Sequence, residues 1–268
     1  MPDRADLIYE YDGSIEGMYS CIFESFEKRE IPMGIRPEGA AQTSLYPAKY
    51  VAADFRKAER VRAGIRRKIS ESAQELTELS YYTCHPEKEM LALRFVQLGM
   101  RYGASVETMY GDESVHALTG AVRHLTRESH QLKGFVRFSI HEGVMTSVIE
   151  PKNFVLPVLE PHFCDRYAQE TFMIYDKTHQ SALFYRPYHS VIAPVEEYEE
   201  PEADGQEMKY RSLWKAFYQT IAITARYNPR CRMSHMQKRY WSHLIELDDM
   251  VPTRWEDGQA QKRITESN

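Results

Sequence analysis

Between residues 115 and 149 the hydrophobic period switches abruptly from that of a helix to that of a strand, and this switch limits the folds open to the chain. Val115, Leu118, Val122, Leu125 and Leu132 recur at helical steps. Val136, Phe138 and Ile140 then alternate with Arg137, Ser139 and His141, and Glu142-Gly143 turns the chain into a return strand over residues 144–149. The expectation is a β-hairpin fed directly by an amphipathic helix. A second hairpin is expected from residues 171–175 and 182–185 around Asp176-Lys177-Thr178-His179, after a short helix over residues 157–168.

The flanking segments add to this frame. Residues 7–11 alternate loosely and lead into Asp12-Gly13-Ser14, a turn whose serine caps a helix carrying Ile15, Met18, Tyr19, Ile22, Phe23 and Phe26. Residues 30–50, rich in Pro, Gly and Ala and without a period, read as a surface connection, and residues 54–130 as largely helical. A further helix over residues 209–228 presents Leu213, Phe217, Ile221 and Thr224 and stops before Pro229. Ser234 and Gln237 make a capping-box pattern for a last helix with Met236, Tyr240, Leu244 and Leu247 on one face. The expected class is α+β, with a mostly antiparallel sheet of about four to five strands (two β-hairpins plus an N-terminal strand) packed with several helices. Residues 1–252 read as a single α+β domain with a helical region over 50–133 and an acidic loop over 194–208, and residues 253–268 as a polar, disordered tail.

Composition narrows the function classes. The cysteines, Cys21, Cys84, Cys164 and Cys231, include no Cys-x-x-Cys pair, so local spacing encodes neither a zinc ribbon nor an iron–sulfur cluster. No metal and no cofactor are expected. A reducing, cytoplasmic setting without membrane association is expected too, since the first residues lack a basic segment leading into an apolar one. The formal charge of −5 is misleading: Glu196, Glu197, Glu199, Glu200, Glu202, Asp204 and Glu207 lie in one short segment, and leaving these seven out turns −5 into +2. The phosphate-binding Gly-x-x-x-x-Gly-Lys loop, the dinucleotide Gly-x-Gly-x-x-Gly and the nucleophile-elbow Gly-x-Ser-x-Gly are not found in the sequence.

Two basic constellations stand out. One is a box near the C-terminus, Asn228-Pro229-Arg230 followed by Met236-Gln237-Lys238-Arg239-Tyr240-Trp241, with Arg226 just before it. Cations beside a helix N-terminus suit phosphate, and Tyr240 or Trp241 suits either stacking on a base or covering the core. The other is Arg123, Arg127, His130, Lys133 and Arg137, running down a helix and onto a strand as a phosphate track. His130 is the best candidate for proton transfer, its ordinary pKa lying near neutrality, and it equally suits a structural histidine at a helix end. Asp12 suits either a cation site or a turn, and the Glu150-Pro151-Lys152 run resembles the Glu-x-Lys strand end of a nuclease only weakly. His162 and Asp165 do not by themselves complete a metal site.

Three stretches carry a family resemblance: Tyr11-Asp12-Gly13-Ser14-Ile15-Glu16-Gly17, residues 128–138 from Glu128 to Phe138, and the C-terminal box with Arg226. Together they resemble an uncharacterised bacterial family labelled "probable DNA metabolism protein", over nearly the whole chain and least distinctively around residues 50–110. In place of the family's Met-Pro-Lys-Arg-Tyr-Trp this chain has Gln237, which is acceptable in a first helical turn as proline is. The resemblance implies a domain that stands beside a radical-SAM DNA repair or modification protein, or is fused ahead of a uracil-DNA-glycosylase-like domain.

The expected function is that of an accessory DNA-binding partner of such a radical-SAM enzyme. The alternatives are an enzyme acting directly on damaged bases or backbone, with His130 as its acid–base group, and a protein–protein adaptor without DNA affinity.

Overall fold

The computed structural model describes residues 3–40, 45–196, 198, 205–221 and 228–250. These gather into two compact units, Met1–Arg127 and Glu128–Asn268. Among the described residues no helix is long and apolar enough to cross a membrane.

The first unit begins with a β-α-β crossover. Strand β1 (Asp3–Tyr11) leads into helix α1 (Ile15–Lys28), and β2 (Glu30–Pro37) returns parallel to β1. The Ser14 hydroxyl oxygen accepts from the Gly17 amide at 3.0 Å and donates to Asp12 Oδ1 at 2.6 Å, so the turn and the helix cap are one structure. Gly17 is required by proximity, because a Cβ there would lie 2.3 Å from Asp12 Oδ1. A short strand, β3 (Ala48–Tyr50), pairs with the other side of β1, giving a parallel sheet ordered β2-β1-β3. Residues 30–50 therefore contain two strands where a surface connection was expected. Pro32 and Gly34 mask β2 in the sequence, and β2 tolerates them because it is an edge strand with one side unpaired. Helices α2 (Phe55–Lys68), α3 (Glu71–Tyr81), α4 (Lys88–Tyr102) and the start of α5 (Glu113–Phe135) complete this unit. Its core joins Tyr9, Tyr11, Met18, Ile22, Ile65, Leu93, Phe95 and Leu118.

The second unit is built on a five-stranded sheet ordered β4-β5-β6-β7-β8. Strands β4 (Ser139–His141) and β5 (Val144–Ile149) form the first hairpin, with Glu142 and Gly143 both at positive φ in its turn. Helix α6 (Leu156–Arg166) crosses over, so that β6 (Phe172–Asp176) lies parallel to β5. Strands β7 (Ser181–Arg186) and β8 (His189–Pro194) follow antiparallel. All five residues of β6 are buried, as a central strand covered on both faces requires.

The expectation of one mostly antiparallel sheet joining the N-terminal strand to the two hairpins is thereby corrected. There are two sheets among the described residues, one parallel and one mixed, and β1 belongs to the parallel one. Crossover helices cause the difference: α1 returns the chain parallel to β1 and α6 returns it parallel to β5.

Helix α7 (Gly205–Ile221) follows, and α8 (Pro229–His235) opens on Asn228, whose side chain accepts from the Cys231 amide at 3.0 Å. The chain then makes two 3-10 turns, Lys238–His243 and Ile245–Met250. The last helix thus starts at Pro229 rather than after Ser234, whose hydroxyl instead donates back to the Cys231 carbonyl. Tyr240, Leu244 and Leu247 are buried. Most of the acidic loop (residues 197 and 199–204), residues 222–227 of the expected long helix, and the tail over 253–268 lie outside the described residues.

Candidate functional site

The C-terminal box is drawn together around a buried glutamate. Glu128, on α5, is 2% exposed, and its carboxylate accepts from the amides of Lys152 (3.0 Å) and Asn153 (2.8 Å), the Asn153 side chain (2.6 Å) and the Tyr240 hydroxyl (2.8 Å). The Arg239 guanidinium donates to the same carboxylate at 2.5 Å, contacts the Tyr240 hydroxyl and lies 4.5 Å over the Tyr240 ring. Burial pushes the Glu128 carboxyl up, but the donors from Lys152, Asn153 and Tyr240 outweigh it and hold the group below the usual carboxylate range. The Tyr240 phenol is pushed far up, first by burial and then by the Glu128 charge. Trp241 is buried with Leu244 and Leu247, donates to the Met236 carbonyl at 3.0 Å and carries Arg232 over its ring.

Of the residues expected to meet phosphate in the box, Arg239, Tyr240 and Trp241 are therefore engaged in packing. Arg230 and Lys238 are exposed. Lys238 begins a six-residue 3-10 turn whose capping residue, Gln237, makes no side-chain cap. Asn228 is spent on capping α8, and Arg226 lies outside the described residues.

The basic stripe of α5 divides along its length. Arg123, Arg127 and His130 are exposed and form no ion pair or side-chain hydrogen bond among the described residues. Lys133 and Arg137 line a cleft in the second unit, of about 1370 Å³. Its floor is aromatic: Phe138 packs edge-on against Phe163 at 5.8 Å and Tyr167 at 5.4 Å. Across from this, α7 contributes Tyr210, Leu213, Trp214 and Phe217, which are 57%, 63%, 37% and 53% exposed.

Two of the cleft's cations are held by carboxylates. Arg137 bonds Glu246 at 2.8 Å and lies 5.5 Å over Trp214, whose indole donates to the same glutamate at 3.0 Å. Burial raises the Glu246 carboxyl, and the Arg137 and Trp214 donors bring it below its ordinary range. Arg211 bonds Glu207 at 2.9 Å and the Ser139 hydroxyl at 2.7 Å. Lys133 and Arg166 have no carboxylate partner among the described residues. Burial lowers the pKa of His162, and the charges of Lys133 and Arg166 lower it further, against the opposing charge of Asp165. The sequence marks His162 only as part of an incomplete metal-ligand pair with Asp165, and does not mark Arg166 or the α7 aromatics as site residues. Arg166 follows an apolar helical pattern, and nothing local marks the α7 face as exposed.

A second arrangement escaped the sequence reading. Asp176 is 0% exposed at the end of β6, and its Oδ1 accepts from the Thr178 and His179 amides while Oδ2 meets His179 Nδ1 at 2.7 Å. The carboxylate both closes the β6–β7 turn and orients the imidazole, leaving Nε2 as the ring atom available to other groups. Glu150, at the end of β5, meets Lys177 at 3.2 Å and lies 3.7 Å from His243, while the Lys152 amide is directed at Glu128. No three His, Cys, Asp or Glu side chains converge as metal ligands among the described residues.

No curated protein and no solved structure matches the chain. A family model does match, over residues 86–246, a span that includes Glu128, Asn153, Arg239 and Tyr240 as well as the cleft. The chain therefore belongs to the family described as a domain of unknown function, DUF4130.

Proposed function

We propose that the protein is an accessory nucleic-acid-binding component of DNA repair or modification, partnering a radical-SAM enzyme, and that the cleft of the second unit takes single-stranded DNA. The observation that carries this reading is the pairing, in one cleft, of exposed aromatic side chains with cations that no carboxylate among the described residues neutralises. Tyr210 and Phe217 are more than half exposed, the Phe217 ring lying 5.8 Å from that of Trp214, and Lys133 and Arg166 lie in the same cleft. Base–aromatic stacking contributes roughly 1–3 kcal/mol per base irrespective of sequence, and unpaired cations follow the phosphates. The resemblance to a DNA metabolism family supplies the biological setting and the radical-SAM partner.

The test is fluorescence anisotropy with a labelled oligothymidylate over a salt series. Phe217→Ala and Tyr210→Ala are each expected to weaken binding by about 5–150-fold, the equivalent of roughly 1–3 kcal/mol. Lys133→Ala with Arg166→Ala is expected to lower the salt slope by about 1.4, at roughly 0.7 per phosphate contact on a single strand. Unchanged affinity in variants that melt like the parent protein would sink the proposal.

A further inference from the structure

Helix α2 in the first unit carries a charge distribution that the folded core does not explain. Its fourteen residues include Arg56, Lys57, Arg60, Arg62, Arg66, Arg67 and Lys68 against a single carboxylate, Glu59, in a chain whose formal charge is −5. Like charges three and four residues apart on a helix repel one another, so an ordinary solvated face mixes signs.

The cations are sorted by direction. Ala58, Val61, Arg62 and Ile65 face the core, and Arg62 takes up the carboxylates of Glu59 at 2.8 Å and Glu16 at 3.5 Å. Lys57, on the flank, lies 3.7 Å from Glu24. At 3.6 residues per turn, Arg56, Arg60 and Arg67 fall within about 40° of one another on the side opposite the core. All three are exposed, as are Arg66 and Lys68 beside them. Arg56, Arg66, Arg67 and Lys68 have no carboxylate partner among the described residues, and Arg60 rests on the Phe23 ring at 4.9 Å. The neighbouring acids are thus committed to the inward and flanking cations, and the outer row is left unneutralised.

We infer that the outer face of α2 is a docking surface for the phosphate backbone of duplex nucleic acid. From Arg56 to Arg67 the row covers twelve residues, about 16 Å along the helix at roughly 1.5 Å per step, enough to reach several successive phosphates. An anionic membrane is the other polyanion such a row suits, but a helix that lies in a bilayer interface must offer its apolar face to the lipid. In α2 that face is buried against the core through Ala58, Val61 and Ile65. The inference shares with the proposed function only the class of ligand. It concerns a different surface, a different unit and double-stranded rather than single-stranded nucleic acid.

The test uses the full chain and a duplex of mixed sequence, titrated at several salt concentrations. Arg56→Gln, Arg60→Gln and Arg67→Gln combined are expected to reduce the slope of log K against log salt by about 2.7, at roughly 0.9 per phosphate contact, and to weaken binding on the order of 100-fold at 0.1 M salt. Arg67→Gln alone, with a smaller risk to folding, is expected to reduce the slope by about 0.9. The paired Lys133→Ala and Arg166→Ala variant is expected to keep its duplex slope, which separates failure here from failure of the cleft reading. The inference is overturned if the parent protein does not bind the duplex, or if the α2 variants melt normally and keep the parent's affinity and slope. Binding to phosphatidylserine–phosphatidylcholine vesicles that is lost in the α2 variants while duplex binding is kept would overturn it equally.

Discussion

Replacing Glu128 by alanine removes the acceptor on which five donors converge: the Lys152 and Asn153 amides, the Asn153 side chain, the Tyr240 hydroxyl and the Arg239 guanidinium. Removing one partner of a buried ion pair costs about 3–5 kcal/mol, and a buried donor left without an acceptor about 1–3 kcal/mol, the contributions not being additive. Arg239 is about one quarter exposed and regains some hydration once released, which places the expected loss near the lower end, at about 3–4 kcal/mol. For a chain of this size that is a fall in Tm on the order of 10 °C. Tyr240→Phe deletes one donor and leaves the carboxylate with the others, an expected loss of about 1 kcal/mol. Urea denaturation of the parent, Glu128→Ala, Arg239→Ala and double variants measures these values and the coupling between the two side chains.

The pH dependence has a definite sign. The folded-state pKa of Glu128 lies below its unfolded value, so its contribution is fully present above about pH 4.3 and is lost as pH falls through the lower, folded value. Glu128→Gln is expected to lack that part of the acid dependence. If Glu128→Ala instead unfolds within 1 kcal/mol of the parent, the carboxylate does not organise the box, and Arg239 becomes available for the phosphate role that its sequence position suggested.

Two further outcomes are expected in the first unit. Glu89 is 3% exposed and its carboxyl is raised, chiefly by burial, so ionisation of this side chain disfavours the folded state; Glu89→Gln is expected to raise the urea midpoint at pH 7, with the gain vanishing below the ordinary carboxylate range. Gly17→Ala would place a methyl group 2.3 Å from Asp12 Oδ1 and 2.6 Å from Tyr11 Cδ2, and is expected to cost about 1–3 kcal/mol by thermal melting.

Local signals in the sequence were sufficient for local structure. The Asp12-Gly13-Ser14 turn caps α1 and Glu142-Gly143 turns the first hairpin, whereas Tyr240, Leu244 and Leu247 are buried as their spacing suggests but on two 3-10 turns rather than on the expected helix. Each depends on atoms a few residues apart, or on a period that reports which face leaves water. Periodicity does not report what that face meets. The parallel pairing of β5 with β6 depends on the path of α6, and β2 is a strand because β1 offers its edge, despite Pro32 and Gly34.

The candidate site divides in the same way. The cations were visible in the sequence, but whether a cation is spoken for depends on carboxylates brought from far along the chain. Arg239 is taken by Glu128, 111 residues away, and Arg137 by Glu246, 109 residues away. Among the described residues, Lys133, Arg166 and the outer row of α2 meet no neutralising carboxylate. Sequence determined where the charges and the apolar faces lie, and the tertiary structure alone decided which of them are satisfied internally, because neutralisation and burial are properties of long-range neighbours.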